Sequence, residues 1–184
     1  MSRSRLAIAL VHHPVLDKEG ATVTSTLTNM DVHDLSRSAK TYGCTDFFVV
    51  HPIEAQRVLC ERIVAHWTHG SSAKRIPDRK DALSLVRIVS SLSDAVAVLG
   101  EGTLLWVTAA REIGTTLSWP DAARTLAEGG PPALLVFGTS WGLAPEVTSK
   151  ADAVLAPIDG GSGWNHLSVR AACAIALDRL CAPA

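Results

Sequence analysis

The stretch "LLVFGTSWGLAPEV", Leu134 to Val147, runs from an apolar strand through a turn with two glycines into a helix-forming segment. Glycines at such a turn let backbone approach a ligand closely, and the amides left bare can bond a phosphate or the nitrogens of a flat ring. A Walker phosphate loop needs GxxxxGK followed by Ser or Thr, and a dinucleotide loop needs GxGxxG. Gly138 and Gly142 are followed by no lysine and no third glycine, so both phosphate cradles fail. A ring-binding pocket or a plain strand-to-helix turn remains. A second loop, "APIDGGSGWNHLSVRAA", brings Gly160, Gly161 and Gly163 before a helix capped by Asn165 or Ser168. His166 at that helix start either bonds nearby backbone or serves a site.

A third stretch is cationic. Between Arg57 and Arg87 lie Arg62, Lys74, Arg75, Arg79 and Lys80, with "SSAKRIPDRK" at the centre reading as a polar loop, either solvated or in contact with phosphates. The chain's formal net charge of −1 offers no global attraction to nucleic acid, so any such binding must be local. Cys44, Cys60, Cys173 and Cys181 show no CxxC or other metal spacing and give no sign of an oxidising compartment, which predicts no metal and small buried thiols, or exposure for Cys181 alone near the end. No apolar run is long enough to span a membrane, and the one near the start is too short for a secretory signal, so a cytoplasmic location is expected.

These loops need a frame that presents them together. "LAIALVH", "DFFVVHP", "LLWVTA", "ALLVFG" and "AVLAPI" read as buried strands, each ending near a turn residue. Helical patterns alternate with them: "DVHDLSRSAKTYG" closing on Gly43, "IEAQRVLCERIVAHWTHG" closing on Gly70, and "RKDALSLVRIVSSLSDAVAVLGEG" as one or two helices. "SWPDAARTLAEGG" follows with Pro120 in its first turn, and "NHLSVRAACAIALDRL" ends the chain. The alternation predicts an α/β fold in which a mostly parallel sheet is flanked by helices, forming a single domain over residues 1–184. On such a sheet, ligands bind beyond the carboxyl ends of the strands, where the glycine loops lie.

"LLVFGTSWGL", followed by the glycine-rich loop and "NHLSVRAACAIALDRL", resembles the C-terminal half of the SPOUT, or α/β-knot, RNA methyltransferases. The resemblance implies a C-terminal deep trefoil knot, an exception to the rule against threaded connections, with S-adenosylmethionine bound in it. It implies that three loops hold the adenosine, through Thr108, through Phe137, Gly138, Thr139, Trp141 and Gly142, and through Ile158, Leu167 and Ser168. The first half is similar too: "TNMDVHDLSRSAKTYG" keeps the family's arginine, Arg37, six residues before Gly43, and Arg37 is carried over as catalytic or as a clamp on RNA. Asp31 stands where ribose methyltransferases of the family usually have asparagine, Thr139 and Ser140 where they have an acidic residue, and His166 where they have another asparagine. Ribose and base both remain open as the methylated group.

Methyl transfer requires alignment, exclusion of water and removal of one proton. A guanidinium stays protonated, so Arg37 is expected to hold phosphate or developing charge, with Asp34 and His33 on the same helix as proton acceptors. Asp31 and Asp34 could equally serve as favourable charge at a helix N-terminus. The expected partners are a tRNA or rRNA substrate and a second copy of the chain, packed through the alanine-rich "VRAACAIAL". The rival reading is a non-catalytic adenosine-ligand or regulatory α/β domain, which would need the glycine loops but no arginine facing them.

Overall fold

The computed structural model describes residues 3–182. Seven strands form one parallel sheet: β1 (Leu6–Val11), β4 (Phe47–Val50), β5 (Val86–Val89), β6 (Leu104–Val107), β7 (Thr116–Leu117), β8 (Ala133–Gly138) and β9 (Ala153–Leu155), in the order β5-β4-β1-β8-β6-β9-β7. A two-stranded hairpin, β2 (Val15–Leu16) with β3 (Thr22–Val23), follows β1. The chain first adds strands on one side of β1 and then on the other, so the order reverses at the β1/β8 junction. That junction is where a doubly wound sheet opens a crevice.

Burial on both faces explains the apolar runs. Every residue of β1 is buried, and alternate residues serve two cores. Leu6, Ile8, Leu10, Phe47, Leu135 and Phe137 face α1 (Asn29–Thr41), α6 (Trp119–Glu128) and α8 (Val169–Cys181), while Ala7, Ala9, Val11, Phe48 and Val136 face α5 (Leu92–Leu99) and α7 (Pro145–Thr148). Local signals set the helix ends. Thr28 caps α1 by accepting from the Asp31 amide at 3.2 Å, and Gly43, at φ +72°, takes the left-handed conformation just beyond its end.

Two expectations are corrected. The segment 79–102, expected as one or two helices, divides into the end of α4 (Pro77–Leu83), strand β5 and α5. "VRIV" is short and rich in β-branched residues, and pairing with Phe47–Val50 overrides any helical tendency before Ser91 and Asp94 restart the helix with a capping box. The cationic stretch is not a loop: after α2 (Glu54–Thr68) it forms α3 (Gly70–Arg75) and α4, which bury Ser72, Ala73, Ala82 and Leu83 and leave Lys74, Arg75 and Lys80 exposed.

Candidate active site

Two pairs of segments are tied at the carboxyl edge: the hairpin arm after β1 with the loop after β8, and the loop after β9 with the loop after β6. The arm grips the glycine loop. Trp141 donates its amide to the Leu16 carbonyl at 3.0 Å, Leu16 donates to Gly142 at 2.9 Å, and Ala144 donates to Pro14 at 3.2 Å. Asn165, one of the two expected caps of α8, instead donates its side chain to the Ala110 carbonyl at 2.7 Å and so ties the last loop to the one after β6. Ser168 is the cap, accepting from the Ala171 amide at 3.2 Å.

The two glycines of the opening stretch do different work. A Cβ on Gly138 would lie 2.8 Å from the Leu143 amide nitrogen, so the backbone that comes close there is the loop's own. Gly142 sits at φ +105° and a Cβ there would meet nothing within 4 Å, so it supplies both a conformation and open space. Ser140, a non-glycine at φ 55°, carries backbone strain. The Thr139 hydroxyl turns inward and donates to Val11 at 3.2 Å, and Thr108 donates its hydroxyl to Val136 at 3.0 Å.

The last loop and α8 enclose a cavity of about 300 Å³, walled by Ile158, Trp164, His166, Leu167, Ile175 and Arg179 among others. Ile158 and Leu167 therefore come together, whereas Thr108, Phe137, Gly138, Thr139, Trp141, Gly142 and Ser168 are not among its walls. A larger open groove of about 520 Å³ follows α2 around Glu54, Val58, Leu59 and Arg62 and includes no residue of the glycine loops. Among the described residues, the backbone groups of Ile158 and Leu167 make no hydrogen bond. Bare backbone in this cavity suits an adenine edge, which needs neutral donors and acceptors, better than it suits a phosphate.

Helix α1 carries the candidate catalytic residues. Arg37 is exposed and makes no hydrogen bond or ion pair among the described residues. Asp34 lies 3.8 Å and Asp31 3.5 Å from the guanidinium of Arg170, on the first turn of α8. Sequence reasoning does not single out Arg170. His33 presents its ring to the edge of Trp67 at 5.4 Å, and its Nδ1 is buried without a partner. Burial pushes the His33 pKa down, as do Arg79, Arg37 and His66 more weakly, against the opposing pull of Asp34. A neutral imidazole results, able to accept a proton. Arg79 lies over the Trp67 ring at 4.4 Å, so the cationic helices adjoin the face of α1 that carries His33 and Arg37.

A seven-stranded parallel sheet flanked by helices, with its strand order reversing at the β1/β8 junction, is the fold shared with the SPOUT class of methyltransferases. The SpoU methyltransferase AviRb from Streptomyces viridochromogenes, solved with its cofactor AdoMet, superposes with a TM-score of 0.59 at 14% identity, over 98% of this chain and 58% of that one. Within the class, the chain belongs to the family described as SAM-dependent RNA methyltransferase, whose model it matches over residues 5–182. It is 42% identical over 179 residues to the tRNA (guanine-N(1)-)-methyltransferase of Oleidesulfovibrio alaskensis, covering 95% of this chain but 41% of that relative. It is also 35% identical over 184 residues to an uncharacterized protein of Aquifex aeolicus, covering 98% of this chain and 90% of that relative. The chain thus spans less than half the length of the tRNA methyltransferase it matches. Among the described residues no helix is long and apolar enough to cross a membrane, and no group of three or more His, Cys, Asp or Glu side chains could hold a metal ion.

Proposed function

We propose that this chain is the catalytic domain of a cytoplasmic enzyme that methylates tRNA, working as a homodimer with a knotted C-terminal segment. The observation that carries the reading is the pairing of a glycine loop unfit for phosphate with an unpaired Arg37 on a helix bordered by exposed cations. S-adenosylmethionine supplies a methyl group already activated on a sulfonium. Gly142, Ile158 and Leu167 are the residues read as holding its adenosine through backbone and open space, with Thr108, Phe137, Gly138, Thr139, Trp141 and Ser168 shaping the loops around them. Arg37 holds a phosphate of the RNA or the charge that develops near it. His33 takes the proton, since Asp34 and Asp31 are engaged by Arg170.

The knot is supported by α8 returning from the last loop to pack on α1 and α6, while Asn165 holds that loop to the one after β6. The dimer is supported by large apolar side chains left exposed near α1 and α8: Met30 at 59%, Trp164 at 70% and Leu167 at 44%. The tRNA substrate follows the name of the 42% identical relative.

The test is transfer of labelled methyl from S-adenosylmethionine to purified tRNA and rRNA. Label in tRNA is expected, lost in Arg37→Ala while calorimetric binding of S-adenosylmethionine persists. A wild-type protein that binds S-adenosylmethionine but labels neither RNA would overturn the reading in favour of a sensor domain.

A further inference from the structure

The end of β1 holds a polar cluster that the reaction does not use directly. His12 and His51 are buried, and their rings stack at 5.2 Å. Ser25, on the strand side of the arm, joins them to the glycine loop. Its hydroxyl lies 2.9 Å from Nδ1 of His12 and in a short hydrogen bond with the hydroxyl of Thr139.

The Ser25 hydroxyl lies 3.5 Å from the His12 carbonyl and much closer to Thr139, so its hydrogen is placed on the Thr139 side. Thr139 donates to Val11, so its oxygen accepts from Ser25. Ser25 has then spent its hydrogen and accepts from His12, which is the Nδ1–H tautomer. Reversing the chain would put the hydrogen on Nε2 of His12, which is buried without a partner, and an orphaned N–H costs more than an orphaned lone pair. His51 has the opposite tautomer. Its Nδ1 accepts the Ile53 amide at 3.2 Å, leaving Nε2–H to donate to the Ser25 carbonyl at 3.0 Å.

We propose that His12 and Ser25 are positioning residues for methyl transfer, through a directional chain His12 to Ser25 to Thr139 to Val11 that locks the root of the 139–143 loop. The proposal rests on the reading of that loop as part of the cofactor site. The lock is needed because Ser140 holds a left-handed φ of 55° next to Thr139, while the arm's backbone bonds fasten the far side of the loop, at Trp141, Gly142 and Ala144. It also couples two halves of the site. Ser25 is tied by its own amide to the His12 carbonyl at 2.9 Å and stands three residues before Thr28, the cap of the helix that carries Arg37. Burial first, and then His51, hold the His12 pKa down at about 4, so the ring is neutral at neutral pH.

Hydrogen exchange of the Trp141 and Gly142 amides in cofactor-free protein reads the lock independently of activity. In Ser25→Ala these amides should exchange about tenfold faster, with the β8 amides unchanged, because a part-buried hydrogen bond is lost and its partners are left unpaired. The KM for S-adenosylmethionine should rise about tenfold with kcat at saturation changing far less, and Ser25→Thr, which keeps the hydroxyl, should restore both. If Ser25→Ala does not fold, Thr139→Val removes the same link from the other side and carries the same expectations. Unaltered exchange and unaltered KM in these variants, with normal cofactor binding by the wild type, would overturn the lock alone. A wild type that binds no S-adenosylmethionine would overturn the reading of the loop and the proposal with it.

Discussion

Acid should destabilise this protein well above the pH at which carboxylates titrate, and His12 sets the size of the effect. The native imidazole takes a proton only at about 4, whereas the unfolded chain takes one at the ordinary 6.5. Between those values the unfolded state binds more protons, so stability rises with pH across the window. The contribution is complete above 6.5 and is lost as pH falls through 6.5 towards about 4. The whole difference corresponds to about 3 kcal/mol, of which about 2 kcal/mol is lost by pH of about 5. His33 and His51, both pushed down chiefly by burial, add to the loss in the same direction. Against a typical domain stability of about 5–15 kcal/mol, this is enough to read in a urea midpoint by circular dichroism at an unchanged m-value. His12→Asn keeps a donor near the Nδ1 position and cannot titrate, so its midpoint should fall less on acidification. The same pH profile in His12→Asn and wild type would refute the assignment of a buried, neutral His12.

If Lys74, Arg75, Arg79 and Lys80 bind phosphates, neutralising all four should weaken tRNA binding and flatten its dependence on log salt by about 0.7 to 0.9 for each phosphate released; an unchanged slope returns α3 and α4 to a solvated surface. If Arg37 of one subunit faces cofactor held by the glycine loop of the other, mixing inactive Arg37→Ala with inactive Gly142→Val under subunit exchange should recover part of the activity. Dead heterodimers, formed from variants that each fold, would place Arg37 in its own chain's site.

What can be read from the sequence follows the range of the forces involved. Apolar runs such as "LAIALV" and "ALLVFG" are buried on both faces, a demand local enough to be written in consecutive residues, and both form strands where expected. Caps are equally local, as Thr28, Ser118 and Ser168 show. Strand β5 escapes such reading because Val86–Val89 is only partly buried and owes its conformation to β4, about 40 residues earlier in the chain. The candidate site divides along the same line. Glycine spacing and the Arg37 to Gly43 interval lie within short stretches and can be matched to a family pattern. The grip of Arg170 on Asp31 and Asp34 spans more than 130 residues, and the link from Ser25 to Thr139 spans 114, so neither leaves a local trace. One signal is nevertheless present in the sequence. Two apolar strands end in histidine, at "ALVHH" and "FVVHP", where continued burial would disfavour an ionisable ring unless something partnered it. Such a ring buried at the carboxyl edge of a parallel sheet must find a partner in a neighbouring segment, and the fold supplies Ser25, whose hydroxyl meets His12 and whose carbonyl meets His51.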